Sequence, residues 1–254
     1  MQRVTETLAY AALGMLIAMV SSMAGIGGGV FMVPLFYLAL KEPINIAVGT
    51  SKAVIVVISL MSTAIYIRTG KVDMKIGTIL LSTMVPGSYL GAFMVSTINP
   101  TILEYIVALF ILLYAARLIY RVLKNGTKQG LGDKDRHGRN PKIALLAGLL
   151  IGVIAGLTGT GGGALVVPLA TMFLGLSIHE AVATSMYAMT LAAVVAAIRH
   201  YVNGDIDMGI ALPFAAGALI GAQIGPRIAL RIKPNTLRLV VAVILIIVAV
   251  RMLL

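Results

Sequence analysis

Along this chain apolar residues run for roughly 20 positions at a time before a short polar break, the spacing of helices that cross a bilayer. The breaks divide the first half into apolar blocks 8–40, 44–67, 74–98 and 101–123, and the second into 142–175, 178–202, 206–232 and 235–254. This pattern predicts an all-α polytopic membrane protein of about 8 to 10 helical segments. The first block of each half exceeds 30 residues, too long for one upright span, and carries a glycine cluster near its middle. A helix pair, or a helix broken at the glycines, is expected in both places.

The two clusters are nearly the same words, AGIGGGVFMVPL from Ala24 to Leu35 and TGTGGGALVVPL from Thr158 to Leu169. Sliding the chain against itself by 134 positions aligns Gly25–Arg117 with Gly159–Arg251 without a gap, and 26 of the 93 pairs are identical. Chance at this composition gives roughly a tenth, so the chain reads as a duplication. The matches include Pro34 with Pro168, Thr50 and Ser51 with Thr184 and Ser185, Asp73 with Asp207, Gly87 and Gly91 with Gly221 and Gly225, and Pro100 with Pro234. The expected organisation is a first transmembrane repeat over 1–123, a linker over 124–141 and a second repeat over 142–254. The linker, KNGTKQGLGDKDRHGRNP, is polar and basic, as a solvated cytoplasmic connection would be.

Composition agrees with a membrane setting: 59% of residues are hydrophobic, 11% are charged, and mean hydropathy is +1.02. The net charge of +11 would also fit nucleic acid, but most Lys and Arg residues lie between apolar blocks, where membrane orientation places them. No nucleic-acid partner is expected; the bilayer is. If each long block crosses once, the halves are parallel and the cytoplasmic side holds 14 Lys or Arg against 5 outside; if each folds back, the halves are inverted and the count is 15 against 4. Charge alone does not choose, and the frequency of inverted repeats among transporters favours the second. There is no cysteine, which excludes disulfides and thiolate chemistry. Arg3 and Glu6 precede an apolar run with no small-residue cleavage pattern, so the N-terminal segment is expected to be a retained span.

Each glycine costs a helix about 1 kcal/mol relative to alanine, so two clusters inside helical blocks need a reason. Irregular backbone at membrane depth is tolerated only under cover of protein or a water-filled cavity. A break followed by a new helix start presents N–H groups and the positive end of a dipole, which favours an anion. Two such breaks at matching places are a pointer to a site between halves. The candidate anion-binding residues are therefore Gly25, Gly27, Gly28 and Gly29 with Gly159, Thr160, Gly161, Gly162 and Gly163. The alternative is that these glycines only permit close packing or a tight hairpin.

The shared A-V-x-T-S motif places Thr50, Ser51, Thr184 and Ser185 one to two turns into the next helix, where hydroxyls could donate to an oxyanion or bond back to their own backbone. Lys52 is the one charge well inside an apolar block. It marks a functional site by default, or snorkels to the interface. All nine acidic residues fall in or near loops, which disfavours a cation carrier or a carboxylate proton relay. No histidine sits in a metal or nucleophile constellation, so no metal, cofactor or catalytic residue is expected. Gly148, Gly152 and Gly156, Gly87 and Gly91, and Gly217, Gly221 and Gly225 form small-residue faces suited to helix packing. With no tryptophan, Tyr37, Tyr66, Tyr120 and Tyr201 are the candidates for an interfacial belt.

The duplicated G-x-G-G-G-x4-P at Gly25–Pro34 and Gly159–Pro168, each followed by A-V-x-T-S, with a charged linker between, resembles the TauE/SafE family, also called the sulfite exporter or toluene-sulfonate uptake permease family. That resemblance spans nearly the whole chain. It implies a multi-pass carrier of the bacterial inner membrane for small sulfur-containing or organic anions such as sulfite, sulfonates and sulfoacetate. Met186 stands where the first half has Lys52, so any charge at the site would be one-sided. The expected function is alternating-access transport of a small anionic substrate held between the two broken helices; an anion channel and, further off, a membrane-embedded enzyme are the alternatives. A homodimer is compatible with this reading.

Overall fold

The computed structural model describes residues 2–94, 100–125, 141–158 and 163–253, and every regular element among them is helical. In order these are α1 (Gln2–Ala24), α2 (Gly29–Pro34), α3 (Ile44–Arg68), α4 (Met74–Met94), α5 (Pro100–Asn125), α6 (Pro141–Thr158), α7 (Gly163–Phe173), α8 (Ile178–Val202), α9 (Met208–Arg231) and α10 (Pro234–Leu253), with a π-helical turn, Leu35–Ala39, continuing α2. Among the described residues, five stretches are long and apolar enough to cross a membrane: Thr5–Ala24, Ile44–Arg68, Ile178–Val202, Met208–Arg231 and Pro234–Arg251. Each over-long apolar block is a long helix followed by a short one, α1 with α2 and α6 with α7.

Local chemistry sets the helix ends. Pro100, Pro141 and Pro234 open their helices, where the missing N–H has no intrahelical partner to lose. Ser177 and Glu180 cap α8 reciprocally, the Ser177 N–H donating to Glu180 Oε2 at 2.9 Å. Asp207 Oδ1 accepts from the N–H groups of Gly209 and Ile210, and Asp73 Oδ1 accepts from that of Ile76. After α3 and α8 the chain turns through left-handed glycines, Gly70 at φ 65° and Gly204 at φ 76°, which lets following N–H groups close the last carbonyls.

Close approaches fix the helix directions. Gly217 meets Ala11, Gly221 meets Met15 and Gly225 meets Met19 and Ser22, so α9 and α1 run parallel. Gly148 lies on Leu80 and Thr83, and Gly152 on Met84 and Gly87, so α6 and α4 do the same. These are the packing roles expected of the small-residue faces; the surroundings of Gly91 and Gly156 lie outside the described residues. The Ser62 hydroxyl donates to the Ala222 carbonyl and Thr50 Oγ1 accepts from Asp207 N–H, which sets α3 parallel to α9. Asn45 with Asp205 and Thr63 with Thr190 set α8 against α3.

Since α1 and α3 both follow α9, the segment between them must return the chain. Phe36, in the π-helical turn, packs edge-on to Phe214 with ring centroids 4.8 Å apart, and Phe214 also stacks on Tyr10 near the start of α1. The long first block therefore crosses and folds back. Several contacts recur at the 134-residue offset: Asp73 N–H to Thr184 Oγ1 and Asp207 N–H to Thr50 Oγ1, both 3.0 Å, and the turn-closing bonds Glu42 N–H to Phe36 O and Leu176 N–H to Ala170 O.

The core runs along α3 and α8, which bury Thr50, Ser51, Lys52, Ser59, Ser62, Thr184 and Ser185 among apolar side chains. The outer surface carries large apolar groups, among them Leu8, Leu113, Leu123, Leu146, Leu212 and Val243. In water such a surface would be costly; against acyl chains it costs nothing.

Candidate functional site

The first glycine cluster reverses the chain. Gly25, Gly27 and Gly28 take φ of 74°, 80° and 90°, a left-handed geometry that costs an L side chain about 1–2 kcal/mol per residue. Gly29 then opens α2, and all four glycines are buried. The Ile26 N–H reaches back to the Ser21 carbonyl at 3.0 Å, and the N–H groups of Phe31 and Met32 share the Gly28 carbonyl. No described residue accepts a hydrogen bond from the N–H groups of Gly27, Gly28, Gly29 or Val30.

From the second cluster the structure describes Gly163, which opens α7; Gly159, Thr160, Gly161 and Gly162 lie outside the described residues. Gly163 reaches the first break directly: a β-carbon there would lie 2.5 Å from the Ile26 carbonyl oxygen and 2.5 Å from Met189 Sδ. A β-carbon on Gly27 would collide with Met189 Cε. Ser185, one turn before Met189 on α8, donates its hydroxyl to the Gly25 carbonyl at 2.7 Å. Gly25–Gly29, Gly163 and Ser185 are thus brought together, with Met189 against both Gly27 and Gly163. Ile55 and Ile58 of α3 line the same place.

The other hydroxyls are used differently. Thr50 and Thr184 accept the Asp207 and Asp73 N–H groups at the starts of α9 and α4, each joining one half of the chain to the other. Ser51 bonds back to the Val48 carbonyl at 2.7 Å, the local bond that competes with any ligand. Lys52 is one turn along α3 from Ile55 and only 8% exposed, and no described residue hydrogen-bonds or ion-pairs with it. This burial does not fit the snorkelling alternative.

A model of the sulfite exporter TauE/SafE family matches residues 10–252. The chain belongs to that family. Among curated relatives, the probable membrane transporter protein YunE of Bacillus subtilis is 27% identical over 254 positions, covering 93% of each chain. YdhB of the same organism, also named a probable membrane transporter protein, is 28% identical over 214 positions, covering 84% of this chain and 86% of its own. A probable membrane transporter protein of Methanocaldococcus jannaschii is 26% identical over 247 positions, covering 91% and 90%. This TauE/SafE chain is therefore a multi-pass helical protein of a membrane-transporter family.

Two features of the TauE/SafE chain depart from its residue pattern. Tyr66, expected in the interfacial belt, is 1% exposed and donates its hydroxyl to the Ser22 carbonyl at 2.9 Å, near the end of α1. A helix end leaves carbonyls without intrahelical partners, and Tyr66 meets one of them. Tyr37, Tyr120 and Tyr201 are exposed as a belt requires. Met189 carries no polar signature and matches Ile55 at the repeat offset, so nothing in the sequence separates it from core residues.

Proposed function

We propose that this protein carries small oxyanions, sulfite or an organosulfonate, across the bacterial inner membrane by alternating access. The observation that carries the reading is Lys52: a buried cation on a central helix with no carboxylate beside it among the described residues. A buried charge is costly unless compensated, and a bound anion would compensate it. The N–H groups of Gly27, Gly28, Gly29 and Val30, for which no described residue is an acceptor, add donors of the right sign. Ser185 acts through the Gly25 carbonyl in this conformation, holding the break in place.

The same reading makes the two halves inverted repeats that move against each other. Support comes from the opposed directions of α3 and α8, which occupy matching places in the halves, and from contacts recurring at the 134-residue offset. With the long blocks folded back, the linker side gathers 15 Lys or Arg against 4 on the other, which supports a cytoplasmic linker.

The test is thermal stability of the purified protein against sulfite, sulfate, thiosulfate, taurine, sulfoacetate, acetate and phosphate, with Lys52→Met alongside. A ligand that binds only the folded state at a hundred times its Kd stabilises it by about 2.7 kcal/mol. A selective rise that Lys52→Met loses supports the site. Folded protein that no anion stabilises would overturn the cargo. In reconstituted vesicles, flux that saturates and shows counter-transport separates a carrier from a channel.

A further inference from the structure

We propose that the outward side of α9 binds an anionic phospholipid of the linker-side leaflet, held by Arg227 and Arg231; this stands apart from the cargo reading above. At intervals of three or four residues α9 turns outward Leu212, Ala216, Ile220, Gln223, Arg227 and Arg231, which makes one stripe along a helix. The stripe lies away from the glycines that pack on α1. It is apolar where it begins and cationic where it ends. That end is on the linker side, because α9 runs parallel to α3, and α3 ends at the face where α4 begins and where α6, parallel to α4, follows the linker.

Depth and direction single out Arg227. The 24 residues of α9 extend about 36 Å against a hydrocarbon core of about 30 Å, so an upright α9 clears the acyl chains by about two residues at each end. Arg227, one turn before Arg231, starts inside that limit. A snorkelling arginine would point toward the helix end. Arg227 points the other way: its Nη1 donates to the Gln223 carbonyl at 3.3 Å, and the Gln223 amide donates in turn to the Leu219 carbonyl at 3.0 Å. No described residue forms an ion pair with Arg227 or Arg231. Membrane orientation accounts for cations in loops, and the helix dipole for a cation at the end of α9. Neither accounts for a guanidinium turned back along an apolar stripe. A phosphodiester between the two arginines does, with its acyl chains lying on Ile220 and Leu212, since a guanidinium fork matches phosphate oxygens. The duplication carries the same message. Gly221 and Gly225 match Gly87 and Gly91 at the 134-residue offset, whereas Arg227 and Arg231 match Phe93 and Thr97, so the packing is common to both halves and the cations belong to one face.

The experiment titrates purified full-length protein in a neutral detergent with phosphatidylglycerol or with phosphatidylcholine and follows the unfolding midpoint. Phosphatidylglycerol should raise it and phosphatidylcholine should not. Arg227→Gln should weaken phosphatidylglycerol binding about fivefold, and Arg227→Gln with Arg231→Gln about 30-fold, the effect of one and of two cations near an anionic lipid surface. Arg227→Lys with Arg231→Lys keeps both charges and should keep most of the preference, which separates lost charge from lost fold. Arg199→Gln, which removes an exposed cation from the last turn of α8, at the opposite face, should leave binding unchanged. Equal stabilisation by the two lipids overturns the site, as does phosphatidylglycerol binding that survives in the glutamine pair. Inorganic phosphate that reproduces the shift through the same two arginines would make this a site for a free anion instead of a lipid. A wild-type dimer that the glutamine pair dissociates would make the stripe an interface between copies, with the lipid again refuted. Anion stabilisation that Lys52→Met removes and the glutamine pair keeps belongs to the cargo site, so either reading can fail without the other.

Discussion

The packing of Met189 against Gly27 can be weighed by a double-mutant cycle on the two residues. Gly27→Ala carries two costs. Its φ of 80° costs an alanine about 1–2 kcal/mol. Forcing the new methyl against Met189 Cε adds about 1–3 kcal/mol of overpacking. The single substitution should therefore destabilise by about 2–5 kcal/mol. Met189→Ala alone should cost about 2–5 kcal/mol, because it empties a buried site. In that emptied background the steric cost at Gly27 disappears and only the backbone cost of about 1–2 kcal/mol remains. The double variant should thus be more stable than the sum of the singles by about 1–3 kcal/mol, within the range seen for residues in contact. Gly28→Ala is the internal control. Its φ is 90°, but its β-carbon would meet Ser21 Oγ at 3.0 Å and Ile58 at 3.3 Å rather than Met189, so it should add to Met189→Ala within about 0.5 kcal/mol. Unfolding in detergent micelles, followed by temperature or denaturant, measures all five variants. Additivity of Gly27→Ala with Met189→Ala would refute the placement of the thioether over Gly27.

Two further expectations test other parts of the fold. Tyr66→Phe removes the donor to the Ser22 carbonyl, 2.9 Å away at a buried site, and should cost about 1–3 kcal/mol, whereas Tyr201→Phe, on an exposed tyrosine, should leave the unfolding midpoint unchanged. At the α8–α9 turn the Asn45 hydrogen bond, and after it that of His200, hold the Asp205 carboxyl below its ordinary value of 3.8. A depressed carboxylate pKa stabilises the fold above that ordinary value and loses its contribution as pH falls below it. The wild-type midpoint should accordingly drop more steeply than that of Asn45→Ala between about pH 5 and pH 3, and parallel curves would count against the Asn45 contact.

Much of this protein is decided by composition and local pattern. Apolar runs the length of a bilayer leave helices as the form that satisfies every backbone group within its own segment, so the spans, their breaks at Asp73, Ser177 and Asp207, and the glycine faces of α4, α6 and α9 are legible in the residues themselves. Family membership is legible too, because the duplicated glycine words and the A-V-x-T-S motif are local. Direction is not. Whether the first block crosses once or folds back depends on three left-handed glycines of a cluster of four and on Phe36 finding Phe214, and the loop charges fit either course almost equally. The hydroxyls show the same limit. Thr50, Ser51, Thr184 and Ser185 are equivalent in sequence, yet the turn of each helix sends the threonines to aspartate N–H groups across the halves, Ser51 to its own backbone and Ser185 to the glycine break. Met189 marks the far end of that scale: a methionine in an apolar helix carries no signal until tertiary packing sets its thioether where two glycines have left no β-carbon. Sequence determines which groups a helix offers; only the packing of helices far apart in the chain decides which of them meet.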